Sequence, residues 1–210
     1  MTTPKFTSKL DILTDTLDLL LTFDCHPLAN ALSLSCGRPA IAVGSGGSQV
    51  TASYFSRCRT TLQHGGTMLQ SPMELVCEQG SLKGSDVWLF SASADNSDLA
   101  AAAMAAKHRG CDRIVICTRN RTGRVALWVE RTGGVVVSVP VAEQKDGFLA
   151  THSLFASMVA LLLASDTLAG NPRGSHHLIG SVRVHLDRSR EGDVRVKLAE
   201  DYSMLTRDTT

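Results

Sequence analysis

Leucines at 10, 13, 17, 20 and 21 recur every three or four positions with Asp and Thr between them, which predicts an amphipathic helix over 10–21. A second short helix over 27–35 precedes the turn Gly37-Arg38-Pro39. From there apolar runs of strand length alternate with helical stretches. Strands are predicted at Ala40–Val43, Thr67–Gln70, Val87–Phe90 and Arg113–Cys117, with helices starting at Ser48, Ser71 and Ser97 between them. Val125–Val129 and Gly134–Val139 read as further strand-like runs. Positions 148–165 form a long apolar helix with Leu154, Met158, Leu161 and Leu162 on one face. Strands alternating with helices predict a three-layer α/β/α fold around a five-stranded parallel sheet.

The tail changes character. Residues 170–177 are turn-rich, after which Val182, Val184 and Leu186, and then Val194, Val196 and Leu198, alternate with polar residues across 188–192. That pattern predicts a β-hairpin, which needs a sheet or a further domain to lean on. The chain thus divides into a helical segment (1–35), an α/β domain (36–168), a linker (169–178) and a hairpin extension or the start of a further domain (179–210).

Composition narrows the classes of function. The 210 residues are 43% hydrophobic and carry a net charge of +1 with both signs intermixed, so no basic stripe marks a nucleic-acid surface. No membrane association is expected, since no apolar span of spanning length stands out. Met1-Thr-Thr-Pro-Lys-Phe6 lacks a basic and then apolar leader, so a cytoplasmic location is expected. The six cysteines are dispersed without C-x-x-C or a histidine at ligand spacing, so free thiols and no metal are expected, and no cofactor motif is present.

Two turns carry candidate chemistry. After the strand at 87–90, Ser91, Ser93, Asn96 and Ser97 gather at a helix start, where backbone N–H groups lack intrahelical partners and the helix dipole favours an anion such as phosphate. After the strand at 40–43, Gly44-Ser45-Gly46-Gly47-Ser48 leads into another helix, with glycines that let a ligand approach the backbone. Either turn can also be an ordinary N-cap. Nucleotide loops fit badly: there is no Gly-Lys-Ser/Thr, and Gln49 stands where a third dinucleotide-fold glycine belongs.

With these turns the chain resembles the sugar isomerase (SIS) domain family over about residues 35–165. The first turn matches that family's G-x-G-x-S, and the second matches S-x-S-G-x-T-x-E/D as Ser91-Ala-Ser93-Ala94-Asp-Asn96-Ser-Asp98. Ala106-Lys107 through Thr118 resembles A-K-x-x-G-A-x-x-I-x-I-T, and Glu143, Gly147, Ala150 and Thr151 resemble the entry into the family's last long helix. The resemblance implies a phosphorylated sugar as ligand, with Ser91, Ser93, Asn96 and Ser97 on the phosphate and Gly46, Gly47, Ser48, Glu143 and Thr151 toward the sugar. It also implies self-association or a second SIS-like domain, for which Leu13, Leu17, Leu20 and the 148–163 helix offer apolar surface.

Two departures bear on activity. Ala94 and Asn96 replace the family's glycine and threonine, and the first-turn helix carries no carboxylate where isomerases place a glutamate. Cys77 stands where a histidine would follow the segment Met73-Glu74-Leu75-Val76. Proton transfer between adjacent carbons needs a base within hydrogen-bond reach, and the substitutes on offer are Glu143, His64, Glu74 and His152. Each has a structural alternative, as a turn, helix-capping, solvated or helix-start residue. The reading is a phosphosugar-binding domain acting as a sensor or as the non-catalytic half of a composite site. The alternatives are an aldose–ketose isomerase with a non-standard base, or an interaction domain with a vestigial crevice.

Overall fold

The computed structural model describes residues 12–142, 151–170 and 172–190. Strands β1 (Ala40–Val43), β2 (Thr67–Gln70), β3 (Asp86–Phe90), β4 (Arg113–Thr118) and β5 (Val135–Ser138) form one sheet in the order β2-β1-β3-β4-β5, with every neighbouring pair parallel. The described helices are α1 (Leu13–Leu21), α2 (His26–Leu34), α3 (Gly47–Thr61), α4 (Pro72–Cys77), α5 (Ser97–His108), α6 (Arg124–Arg131), α7 (Thr151–Leu168) and α8 (Pro172–Arg190). The three-layer parallel architecture read from the alternating pattern is the one found.

β1 and β3 are buried along their whole length because helices cover both faces. Their side chains alternate between two cores. Ala40, Ala42, Trp88, Phe90, Val115 and Cys117 face the layer of α1, α2, α3, α7 and α8, while Ile41, Val43, Val87, Leu89, Ile114 and Ile116 face α4, α5 and α6. Small residues on β1 make room for large ones opposite. Ala42 pairs with Trp88, and Phe55 of α3 packs on that indole with ring centroids 4.5 Å apart.

Several expectations change here. Leu13, Leu17 and Leu20 are 6%, 0% and 0% exposed, so they cover this chain's own core and are not free for a second copy. Val125–Val129 is helical within α6: Val125, Ala126 and Val129 are buried at helix spacing, and Gly123 supplies the cap. Val182, Val184 and Leu186 lie in α8, so the first hairpin arm and most of the linker are helix. Ile179, Val182 and Leu186 follow a helix period that the apparent alternation concealed. The second arm, 194–198, lies outside the described residues. The expectation that no apolar span of membrane length exists also fails: α7 is 18 residues long with mean hydropathy 1.3, enough by length and composition. In the fold it packs against α1, α2, α3 and α8, burying His152, Ala156, Ala160, Leu161 and Ala164.

At the amino ends of the strands a buried arginine ties the layers together. Arg59, in the last turn of α3, is fully buried and donates to Thr67 Oγ1 (3.0 Å), Ser35 Oγ (2.8 Å) and the carbonyls of Ser35 (3.2 Å), Arg38 (2.6 Å) and His64 (2.9 Å). Burial pulls its pKa down, and the nearby charge of Asp86 opposes that. Asp86, also fully buried, lies 3.5 Å from Arg113 at the start of β4.

Candidate functional site

The strand order places a topological switch between β1 and β3: the chain leaves β1 toward β2 on one side and returns through β3 on the other. In an open parallel sheet the turns at the carboxyl ends of two such strands diverge and leave a crevice. Those are the turns at 44–48 and 91–97. The crevice between them is lined by Gly47, Ser48 and Thr51 of α3, Phe90, Ser91 and Ala92 after β3, and Ser153, Leu154 and Ser157 of α7. It is narrow, with a cavity volume of about 10 Å³, room for one water-sized group.

The first turn needs its glycines. A Cβ on Gly44 would stand 2.5 Å from the Ser48 carbonyl oxygen, and Gly46, the N-cap of α3, has φ +54° and ψ −129°, a region closed to other residues. These two conformations bring the chain from β1 straight into α3, with Gly47 and Ser48 on the crevice wall.

The second turn is fastened from behind by the loop after β4. Thr118 Oγ1 donates to the Ala92 carbonyl (3.1 Å), Asn120 Nδ2 to the Ser93 carbonyl (3.0 Å) and the Val125 N–H to the Ala94 carbonyl (2.8 Å). Gly123 packs so closely that a Cβ there would meet the Ser93 carbonyl oxygen at 2.4 Å. Arg124 grips Asp95 through its backbone N–H (3.1 Å) and guanidinium (3.0 Å), and that N–H is the main reason the Asp95 carboxyl titrates below its usual range.

Within the turn the candidate phosphate ligands are already bonded to it. Ser91 Oγ accepts the Ala94 N–H (3.1 Å), Ser93 Oγ accepts the Asp95 N–H (3.4 Å), and Asn96 Oδ1 accepts the N–H groups of Asp98 (2.7 Å) and Leu99 (3.3 Å) as the N-cap of α5. Asn96 therefore offers the first amides of α5 the acceptor that an anion would otherwise supply. Ala94, buried at φ +51°, occupies a left-handed conformation that costs a non-glycine residue about 1 kcal/mol. Ser91 reaches the crevice wall, whereas Ser93, Asn96 and Ser97 lie exposed beside it.

The candidate bases scatter. His64 lies in the turn before β2, at the opposite end of the sheet, with its carbonyl bonded to Arg59 and its pKa lowered by burial and then by the Arg59 charge. Glu74 forms a capping box with Ser71, its Oε2 accepting the Ser71 N–H at 2.6 Å, a bond that holds its pKa below the usual range. His152 is fully buried, with Nδ1 2.7 Å from Thr16 Oγ1, joining α7 to α1. None of the three lines the crevice, and Glu143 lies outside the described residues. Thr151 opens α7 but is not among the lining residues either. Sequence reasoning missed Thr51, Ser153 and Ser157. The last two are four apart at the start of a helix, a spacing that puts both hydroxyls on one face and could have marked them.

No family model matches the chain, and no curated protein matches it in sequence. Solved structures do match in fold. A proposed phosphosugar isomerase from Silicibacter pomeroyi DSS-3 superposes with a TM-score of 0.67 at 16% identity, over 85% of this chain and 54% of that one. An E. coli CFT073 protein in complex with a phosphosugar gives 0.60 at 17% identity, over 82% and 95%. Vibrio vulnificus NanR complexed with ManNAc-6P gives 0.55 at 14%, over 85% and 68%. The chain thus spans about half the length of the first of these and nearly all of the second. It shares the fold of phosphosugar isomerase-like proteins and of proteins solved with sugar phosphates.

Proposed function

We propose that this protein binds a phosphorylated sugar or a related carbohydrate derivative, as a sensor or as the non-catalytic half of a composite site. One observation carries the reading: the turns 44–48 and 91–97 meet with the start of α7 at the switch point between β1 and β3, where this fold class takes its ligands. The hydroxyls of Ser48, Ser91, Ser153 and Ser157 supply donors on a wall with no positive side chain among the described residues, and an anion that displaces the Asn96 cap gains the first amides of α5. In this reading the phosphate sits at the mouth of the narrow cavity, over Ser91, Ser93, Asn96 and Ser97, with the sugar toward Gly46, Gly47 and Ser48. Glu143 and Thr151 extend that sugar side. Two of the proteins that share the fold, the E. coli CFT073 protein and NanR, were solved with sugar phosphates, which supports the ligand class.

A binding role fits the scattering of bases better than catalysis. His64, Glu74 and His152 each hold the fold away from the crevice, which leaves Glu143 as the isomerase reading's remaining base. Calorimetric titration against hexose, pentose and amino-sugar phosphates tests the proposal: heat without product means a binding module. Exchange of the substrate's C2 proton with deuterated water, abolished in Glu143→Gln while binding persists, would instead establish the isomerase.

A further inference from the structure

Away from the crevice, the layer of α4, α5 and α6 carries an open groove of about 320 Å³ between α5 and α6. Ala100 and Met104 line it from α5, and Leu127 and Trp128 from α6. Met104 and Leu127 are 52% and 41% exposed, so the apolar surface faces solvent. Arg124 and Arg131, two turns apart on α6, also line it, and no carboxylate does. Of the carboxylates on the adjoining segments, Glu130 pairs with Arg121 (2.5 Å), outside the lining, and Asp95 pairs with Arg124 (3.0 Å), so a partner carboxylate meets Arg124 in competition with Asp95. Two further large grooves differ in charge. One, lined by Leu17, Phe155 and Leu178 among others, has no charged lining residue, and the other carries both Arg57 and Asp166.

We infer that the α5–α6 groove docks an acidic amphipathic helix of a partner protein. A third helix laid between two others seats a ridge of side chains in their groove, and a large apolar anchor fits over Met104 and Trp128. Cations two turns apart on α6 match carboxylates two turns apart on a helix lying alongside, and each charge-assisted pair adds orientation as well as attraction. Arg124 also connects this groove to the crevice, since the same residue grips Asp95 in the 91–97 turn. A partner carboxylate on Arg124 competes with Asp95 and loosens the turn that faces the sugar phosphate. This link rests on the proposed function; the docking itself does not.

The probe is a fluorescein-labelled peptide of about four helical turns, with leucines at i and i+4 and glutamates two turns apart, read by anisotropy on the full chain without sugar. Saturable binding is expected, together with a shift in Trp128 emission, the only other tryptophan, Trp88, being fully buried. Met104→Glu and Arg131→Glu should each weaken it at least about tenfold in a chain whose circular dichroism is unchanged, and Arg131→Glu should gain affinity for the lysine-for-glutamate peptide. Equal binding of acidic and basic peptides, binding of neither, or indifference to Met104→Glu would overturn the docking site. Light scattering that shows a dimer made monomeric by Met104→Glu would overturn it too, by assigning the groove to a second copy. Where a sugar phosphate binds by calorimetry, its saturation should change the peptide's affinity several-fold; an unchanged affinity removes the link alone. A chain that binds the peptide and no sugar phosphate refutes the proposed function and leaves the docking site standing.

Discussion

The two ends of the sheet use polar groups in opposite ways. At the amino ends of the strands, Arg59 is sealed from water and donates to five acceptors from four different segments, so its polar capacity is spent on holding α3, β2 and the approach to β1 together. At the carboxyl ends, Ser93, Asn96 and Ser97 are exposed, the Ser93 and Asn96 side chains accept from N–H groups of their own turn and helix start, and Ser48 and Ser91 face a crevice. The contrast separates polar residues that make the fold from those placed to meet a ligand. Buried donors with several partners are expensive to disturb, whereas an exposed turn can exchange its internal bonds for bonds to an anion at little cost.

The largest expected effect breaks the first half of that comparison. Arg59→Ala removes five hydrogen bonds of a buried side chain at once, those to Ser35 Oγ, Thr67 Oγ1 and the Arg38 carbonyl among them, and the charge opposing Asp86, so chemical denaturation should show a loss of about 3 kcal/mol or more. A loss below about 1 kcal/mol would show that the cluster is not the staple described. At the other end, Asn96→Ala removes only the cap of α5 and should cost about 1 kcal/mol.

The amino end should also carry a pH signature. Burial and the Arg59 charge depress the folded pKa of His64, so its neutral form contributes stability that is fully present above the unfolded value of about 6.5. That contribution is lost as pH falls through the lower folded value. In His64→Asn, which cannot take up the proton, the fall in melting temperature just below pH ~6.5 should therefore be shallower than in the wild type. Equal slopes would mean that His64 is protonated as readily folded as unfolded.

The smallest effect sharpens the second half. Ala94→Gly relieves a left-handed alanine, and Asn96→Thr replaces the amide that occupies the first amides of α5 with a shorter hydroxyl. Together they should tighten sugar-phosphate binding several-fold with stability nearly unchanged, because the strain relieved offsets the buried methyl lost. Unchanged affinity would place the phosphate elsewhere.

Much of this architecture was legible because local signals agreed. Ala40–Val43 and Val87–Phe90 are apolar runs that stop at small-residue turns, and only strands buried on both faces suit them. The reading failed where two periods overlap. Val125, Leu127 and Val129 alternate like a strand, yet Val125, Ala126 and Val129 also share a helix face, and it is that face which the fold buries. Val182, Val184 and Leu186 misled in the same way. Of the candidate site, the two turns could be read because glycines and hydroxyls before a helix have a local cause. The spacing of Ser153 and Ser157 marks a shared helix face, but only the tertiary packing of α7 brings that face to the crevice. His64 and His152 suit a base by residue type, but Arg59, five residues earlier, binds the His64 carbonyl, and packing alone brings Thr16 against the His152 ring.

The most direct test of the central claim is calorimetric titration of the wild type and of the Ser91→Ala, Ser93→Ala double variant against a panel of sugar phosphates. The wild type should bind at least one of them, while the double variant, still folded and within about 1–2 kcal/mol of wild-type stability, should bind it at least about tenfold more weakly. A folded wild type that binds no sugar phosphate, or a double variant that binds as tightly as the wild type, would contradict the account.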